Sequence, residues 1–182
     1  MTFSKMAIVT ITLIVLFIGI TVIHTINGPK DELRAFYERN KYKDFSVFND
    51  VFVEYWRGYH RIWLWNFSSA KFIIIDYNST QTPSLQVKYH GRGFEILEDE
   101  YGIGHDEAIR LLTNIFKEFK ELNALSLSGH TEYYSIKVMS GNRIHYVPDW
   151  DALDEKDVEC LKCDEGEIRI MYDDHWFACV PE

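Results

Sequence analysis

Several local signatures of known chemistry are missing from this chain. It has no H-E-x-x-H pair, no G-x-S-x-G elbow and no Walker A glycine loop. Zinc peptidase, serine hydrolase and P-loop nucleotide chemistry therefore have no motif to rest on. Gly102-Ile103-Gly104 lacks the third glycine of a dinucleotide fingerprint. Because catalytic triads are assembled in space, missing motifs lower the case for an enzyme without closing it. Four prolines and ten glycines in 182 residues leave no low-complexity tract, and no internal repeat is visible.

Positive charge is also scarce, and unevenly so. The 19 Lys and Arg face 28 Asp and Glu, for a net charge of −9. Residues 31–97 are near neutral at +1, whereas residues 98–182 carry −12. An acidic half repels phosphate, so nucleic acid is not expected as a partner; a basic protein is. The acids Asp149, Asp151, Asp154, Glu155 and Asp157 lack the central glycine and ligand spacing of a calcium loop and read as a solvated, partly helical segment, with Asp151 as its candidate cap.

Only three cysteines occur. Cys160-Leu161-Lys162-Cys163, His175 and Cys179 make C-x2-C-x11-H-x3-C, close to a zinc-finger spacing. A finger needs its last two ligands on one helical face. Here His175 and Cys179 fall on a turn and a returning strand, where four extended steps separate them by roughly 13 Å. No metal and no cofactor is expected. Cys160 and Cys163 are the candidate disulfide, with Cys179 alone. A thioredoxin-like motif would need a helix after the pair; a strand follows, so dithiol catalysis is not expected.

What the chain has in abundance is a long uncharged run. From Met6 to Pro29 there are 24 residues without a formal charge. At about 1.5 Å per residue, 21 helical residues span roughly 31 Å, the thickness of a bilayer's hydrocarbon core. The run exceeds the apolar stretch of a signal peptide and shows no Ala-x-Ala-like exit. The expected organisation is a tail at 1–5, a single transmembrane helix at 6–27, a juxtamembrane helix and linker at 28–43, and a domain at 44–182. Lys30, Arg34, Arg39, Lys41 and Lys43 outnumber Lys5 and the α-amino group, which argues for a cytoplasmic domain. The short tail argues the other way, and the domain is expected outside the cytoplasm.

The domain reads as α+β. Residues 30–40 form a short helix with an apolar stripe at Leu33, Phe36 and Tyr37. Two strands flank Arg57-Gly58, and Lys71–Tyr77 and Leu85–Tyr89 follow as strands around a polar loop, Asn78–Ser84. Gly91-Arg92-Gly93 then turns the chain into Phe94–Leu97. Ala108, Leu111, Leu112, Ile115, Phe119 and Leu122 recur at helical spacing, predicting one long amphipathic helix packed on the sheet, with Asp106 as its cap. Hairpins are predicted around Ser140-Gly141-Asn142 and Asp173-Asp174-His175. Short turns between successive strands imply a mainly antiparallel sheet.

The stretch from Phe52 to Phe67 packs seven aromatics into 16 residues. A sheet core is the simpler account. As a site, Trp56, Tyr59, Trp63 and Trp65 are the candidate ligand-binding residues. No catalytic residue stands out. The expected function is a membrane-anchored binding domain, inhibitory toward a basic protein partner in one version. A tethered enzyme with a site in 52–67, or a structural subunit of a membrane complex, are the alternatives. Asn66-Phe67-Ser68 and Asn78-Ser79-Thr80 are glycosylation sequons in a eukaryotic secretory setting.

Overall fold

The computed structural model describes residues 28–67, 69–77, 84–89 and 92–182, with backbone alone at 73–77 and 84–89. The expected membrane span at 6–27 and the second sequon lie outside these residues. Among the described residues no helix is long and apolar enough to cross a membrane.

The architecture is α+β. Strands β1 (Val51–Trp56), β2 (Tyr59–Leu64), β3 (Ala70–Tyr77) and β4 (Ser84–Tyr89) form one meander. Strands β5 (Ser126–Gly129), β6 (Tyr134–Lys137), β7 (Arg143–Tyr146), β8 (Glu167–Met171) and β9 (Trp176–Pro181) form a second group. All pairings are antiparallel, and β1 pairs with β5 to join the two into one sheet of order β4-β3-β2-β1-β5-β6-β7-β9-β8. The tight β1–β2 hairpin turns on Arg57 and Gly58, both at positive φ (49° and 90°), as a two-residue turn that follows the strands' twist requires. Gly129 marks the junction. A Cβ there would sit 1.9 Å from the Phe48 carbonyl oxygen, so only glycine lets the chain pass.

Among the described residues four α-helices accompany the sheet: α1 (28–40), α2 (Gly93–Tyr101), α3 (His105–Leu122) and α4 (Glu155–Cys160). The long helix α3 buries Ala108, Leu112, Ile115, Phe116, Phe119 and Leu122. They meet Val53, Ile62, Leu64, Phe72, Leu127, Ile136, Ile144 and Ala178 of the strands in one main core. Leu33 and Phe36 of α1 are fully buried in the same core, so α1 packs onto the sheet domain. The α2–α3 pair carries the chain from the β4 edge back to the middle of the sheet.

Some details differ from expectation. Phe94–Leu97 lies in helix α2, closed by Gly102 in the left-handed conformation; its four apolar-polar residues were too few to show a period. Asp106 does not cap α3. Gly104 holds the N-cap position with no side-chain bond, and Asp106 and Glu107 lie in the first turn, where their charge complements the helix dipole. Asp151 is not a cap either. Asp149 accepts from the Asp151 amide, and Asp154 and Asp157 form a capping box at the start of α4. Strand β5 has only four residues and two serines, a pattern that gives no strand signal of its own.

A second, smaller core lies on the other face of the sheet. Tyr133, Val147, Leu161, Phe177 and Cys179 form it, with Trp150, Leu153 and Cys163 packed against them. The segment 147–164 thus lies over the β7–β9 end of that face. Strand β9 is buried on both sides. Trp176, Ala178 and Val180 enter the main core, while Phe177 and Cys179 enter the second. That explains its unbroken apolar run.

Candidate functional site

The register of β1 and β2 sorts the aromatic belt by face. Val51 and Val53 point into the main core with Ile62 and Leu64. Their strand neighbours take the other face, in opposed pairs Phe52–Trp63, Glu54–Arg61 and Trp56–Tyr59. Trp65 continues this series, its amide donating to the Asp50 carbonyl. Sequence position had suggested Trp56, Tyr59, Trp63 and Trp65 as binding residues; the strand period places all four on one face of the sheet. Phe52, Trp63 and Trp65 are partly exposed and belong to neither core. Trp56 is 40% exposed.

The belt engages the protein's own cations. The Arg61 guanidinium lies 4.4 Å from the Trp56 ring centre and 5.5 Å from that of Trp63. Its Nε is 2.9 Å from the Glu54 carboxylate. The Arg57 guanidinium lies 5.2 Å from the Trp56 ring centre. Indole faces attract guanidinium through the ring quadrupole, and here they hold the protein's own arginines.

From there a chain of ring contacts runs toward the covered half. Phe52 stacks near Trp65 at 6.5 Å, Trp65 meets His130 at 4.8 Å, and His130 stacks on Tyr133 at 4.4 Å. Tyr133 is already part of the second core. Burial lowers the His130 pKa, against the pull of the Asp157, Asp50 and Glu132 carboxylates around it. Burial raises the Tyr133 hydroxyl, helped by the Cys160 side chain with which it is hydrogen-bonded. His130 is therefore the point where the aromatic strip meets the acidic segment.

At the covered end a cleft of about 340 Å³ opens between β7 and the end of α4, lined by Lys137, Arg143, His145, Cys160, Lys162 and Cys179 among others. His145 is 5% exposed and stacks on Phe177 at 4.7 Å. Its Nδ1 is buried without a hydrogen-bond partner. Burial, with Arg143 and Arg169 adding to it, pushes its pKa down to about 4, so the ring is neutral at pH 7.

The expected Cys160–Cys163 pairing is not the one present. Cys163 is bonded to Cys179, with Cα atoms 5.3 Å apart, and Cys160 is a free, exposed thiol. The cause is the descent of the chain after α4. Leu161 and Cys163 turn onto the sheet, over the face that Phe177 and Cys179 present from β9. The two cysteines are 16 residues apart, and only the strand pairing brings them together. His175 sits in the β8–β9 turn with Nδ1 3.0 Å from the Val147 carbonyl oxygen. Among the described residues no group of three His, Cys, Asp or Glu could hold a metal ion.

Reading the sequence alone missed Arg61, His130, His145 and Cys179 as members of this face. The alternation of β6 and β7 carried a signal for His145, since Ile144 points into the core. The β7–β9 pairing that buries it gave none. No family model matches the chain, and neither a curated protein nor a solved structure matches it.

Proposed function

We propose that this chain is a membrane-tethered binding module. Its ligand face is the open half of the sheet's second face, centred on Trp56, Tyr59, Arg61, Trp63 and Trp65. The observation that carries the reading is that all four aromatics picked out from sequence share the sheet face that neither core covers. Trp, Tyr and Arg are the residue types that dominate the energetic centres of protein interfaces. Beside them runs the acidic segment 149–167, most of whose carboxylates are exposed. The partner this combination suits is a basic protein: lysines or arginines seated on the indoles, with the acidic rim steering the encounter. Residues 6–27 supply the tether, and the domain lies outside the cytoplasm in this reading.

A photo-cross-linking residue placed at Trp56 tests it, with one at Thr113 on the exposed side of α3 as the control. In source membranes, position 56 should yield a defined adduct to a basic protein, lost in the presence of Trp63→Ala, and position 113 should not. Adducts of the same pattern from both positions, or from 113 alone, would sink the reading.

A further inference from the structure

The three cysteines form a system that the binding reading does not use. Cys160 and Cys179 line the same cleft, and Cys163 is bonded to Cys179. Cys179 stands directly opposite two arginines, Arg143 on β7 and Arg169 on β8. Cys179 and these two residues share one face, at the separation of opposed strand neighbours. Arg169 is held there, its Nη2 donating to the Leu161 carbonyl at 2.8 Å and its guanidinium lying 4.2 Å from the Phe177 ring centre. Two guanidiniums favour a thiolate at Cys179, and the better-stabilised thiolate is the faster leaving group in exchange.

Cys160 is the matching nucleophile. It ends α4, and the next two amides still bond backward, Leu161 to Asp157 and Lys162 to Glu159. Cys163 follows just past that turn, and a Cys-x2-Cys pair closes into a disulfide once a backbone shift brings its Cβ atoms to about 3.5–4.5 Å. The buried His145, with its unpartnered Nδ1, lines the same cleft and leaves its interior polar.

We propose that this cleft is an intramolecular thiol–disulfide exchange site. The Cys160 thiolate attacks the Cys163 sulfur. The Cys160–Cys163 bond forms, the Cys163–Cys179 bond breaks, and the electron pair leaves on Cys179, between Arg143 and Arg169. The proton that Cys160 gives to solvent is the equivalent of the one Cys179 takes up, so no oxidant or reductant is consumed. In one form segment 147–164 is tied covalently to β9. In the other it is held by packing and hydrogen bonds without a covalent tie to β9, and Cys179 is a thiol in the cleft.

Trypsin separates the three cysteines, because Lys156, Lys162 and Arg169 fall between and before them. The full chain, purified without reductant, is incubated natively at pH 8 with limiting iodoacetamide. Remaining thiols are then blocked in denaturant, and the protein is digested and mapped by mass spectrometry. The proposal expects alkylated Cys179 to accumulate with time beside alkylated Cys160, matched by a Cys160–Cys163 linked peptide. Cys160→Ser should abolish the label at Cys179, and Arg143→Gln should slow its appearance severalfold. Label confined to Cys160 at all times, with every disulfide Cys163–Cys179, overturns the exchange. Label at Cys179 undiminished in Arg143→Gln overturns the role given to the arginine pair.

Discussion

The two halves of the sheet's second face are built from similar side chains and finished differently. At the β7–β9 end, Phe177 and Cys179 are covered by Leu161, Val147 and Trp150 and stapled through Cys163. At the β1–β2 end, Phe52, Trp63 and Trp65 stay partly exposed; Arg61 lies over Trp63 and His130 against Trp65. An antiparallel sheet is content with one wet face when that face is polar. Here it is aromatic, and the partner seat proposed above rests on that partly wet aromatic face. Among the described residues, the covered half has what the open half lacks: a segment that descends onto it.

If the halves differ in this way, the same substitution should read out differently in each. Phe177 is fully buried, and Phe177→Ala should lower the unfolding free energy by about 3–5 kcal/mol. Trp63→Ala, on a partly exposed ring, should cost less than about 2 kcal/mol in stability while weakening partner binding at least tenfold, the cost of losing a central aromatic anchor. Denaturant melts of the two variants decide the first part. Equal losses would mean that Trp63 is a core residue and the open half is not open.

The staple should matter next most. Cys163→Ser removes a disulfide between residues 16 apart, which by loop-closure entropy contributes about 3 kcal/mol. Melts with and without reductant should show that loss in the wild type and none in the variant. A wild type indifferent to reductant would show that the cover holds by packing alone.

The pH dependence is a finer probe of the covered half. His145 titrates near 4 when folded and near 6.5 when unfolded. Its contribution is fully present above pH 6.5 and is lost as pH falls toward 4, because the unfolded chain takes up the proton first. The size is on the order of 3 kcal/mol across that window. His145→Gln should flatten the stability profile between pH 6.5 and 4.5, with the wild type and variant profiles converging toward lower pH. Parallel profiles would show that the ring is reached by water and does not belong to the covered half.

Much of this arrangement was legible in the residues. Period-two alternation gave β1, β2, β6, β7 and β8, the turn at Asp173–His175 gave β9 as a returning strand, and the helical spacing of Ala108 to Leu122 gave α3. The face shared by Trp63 and Trp65 followed from the same alternation. What was not legible came from pairing between distant strands. The four-residue β5 has only Leu127 pointing into the core and Gly129 threading past Phe48, so it is a strand because β1 and β6 hold it. The Cys163–Cys179 bond depends on β9 lying beneath the end of α4, which no local spacing encodes. Caps misassigned to Asp106 and Asp151 were off by two or three residues: α3 starts on Gly104 with no side-chain cap, and in the acid-rich stretch Asp149 and Asp154, not Asp151, take the amides.

The central claim is that the open aromatic half is a partner's seat. Oxidative footprinting of the tryptophans in the full chain tests it directly, comparing protein purified in detergent with protein in its source membranes. Trp56 and Trp63 should be modified readily in detergent and protected severalfold in the membrane, while the buried Trp176 stays protected and the 91% exposed Tyr42 stays reactive in both. Trp56 and Trp63 modified to the same extent in both settings would contradict the account.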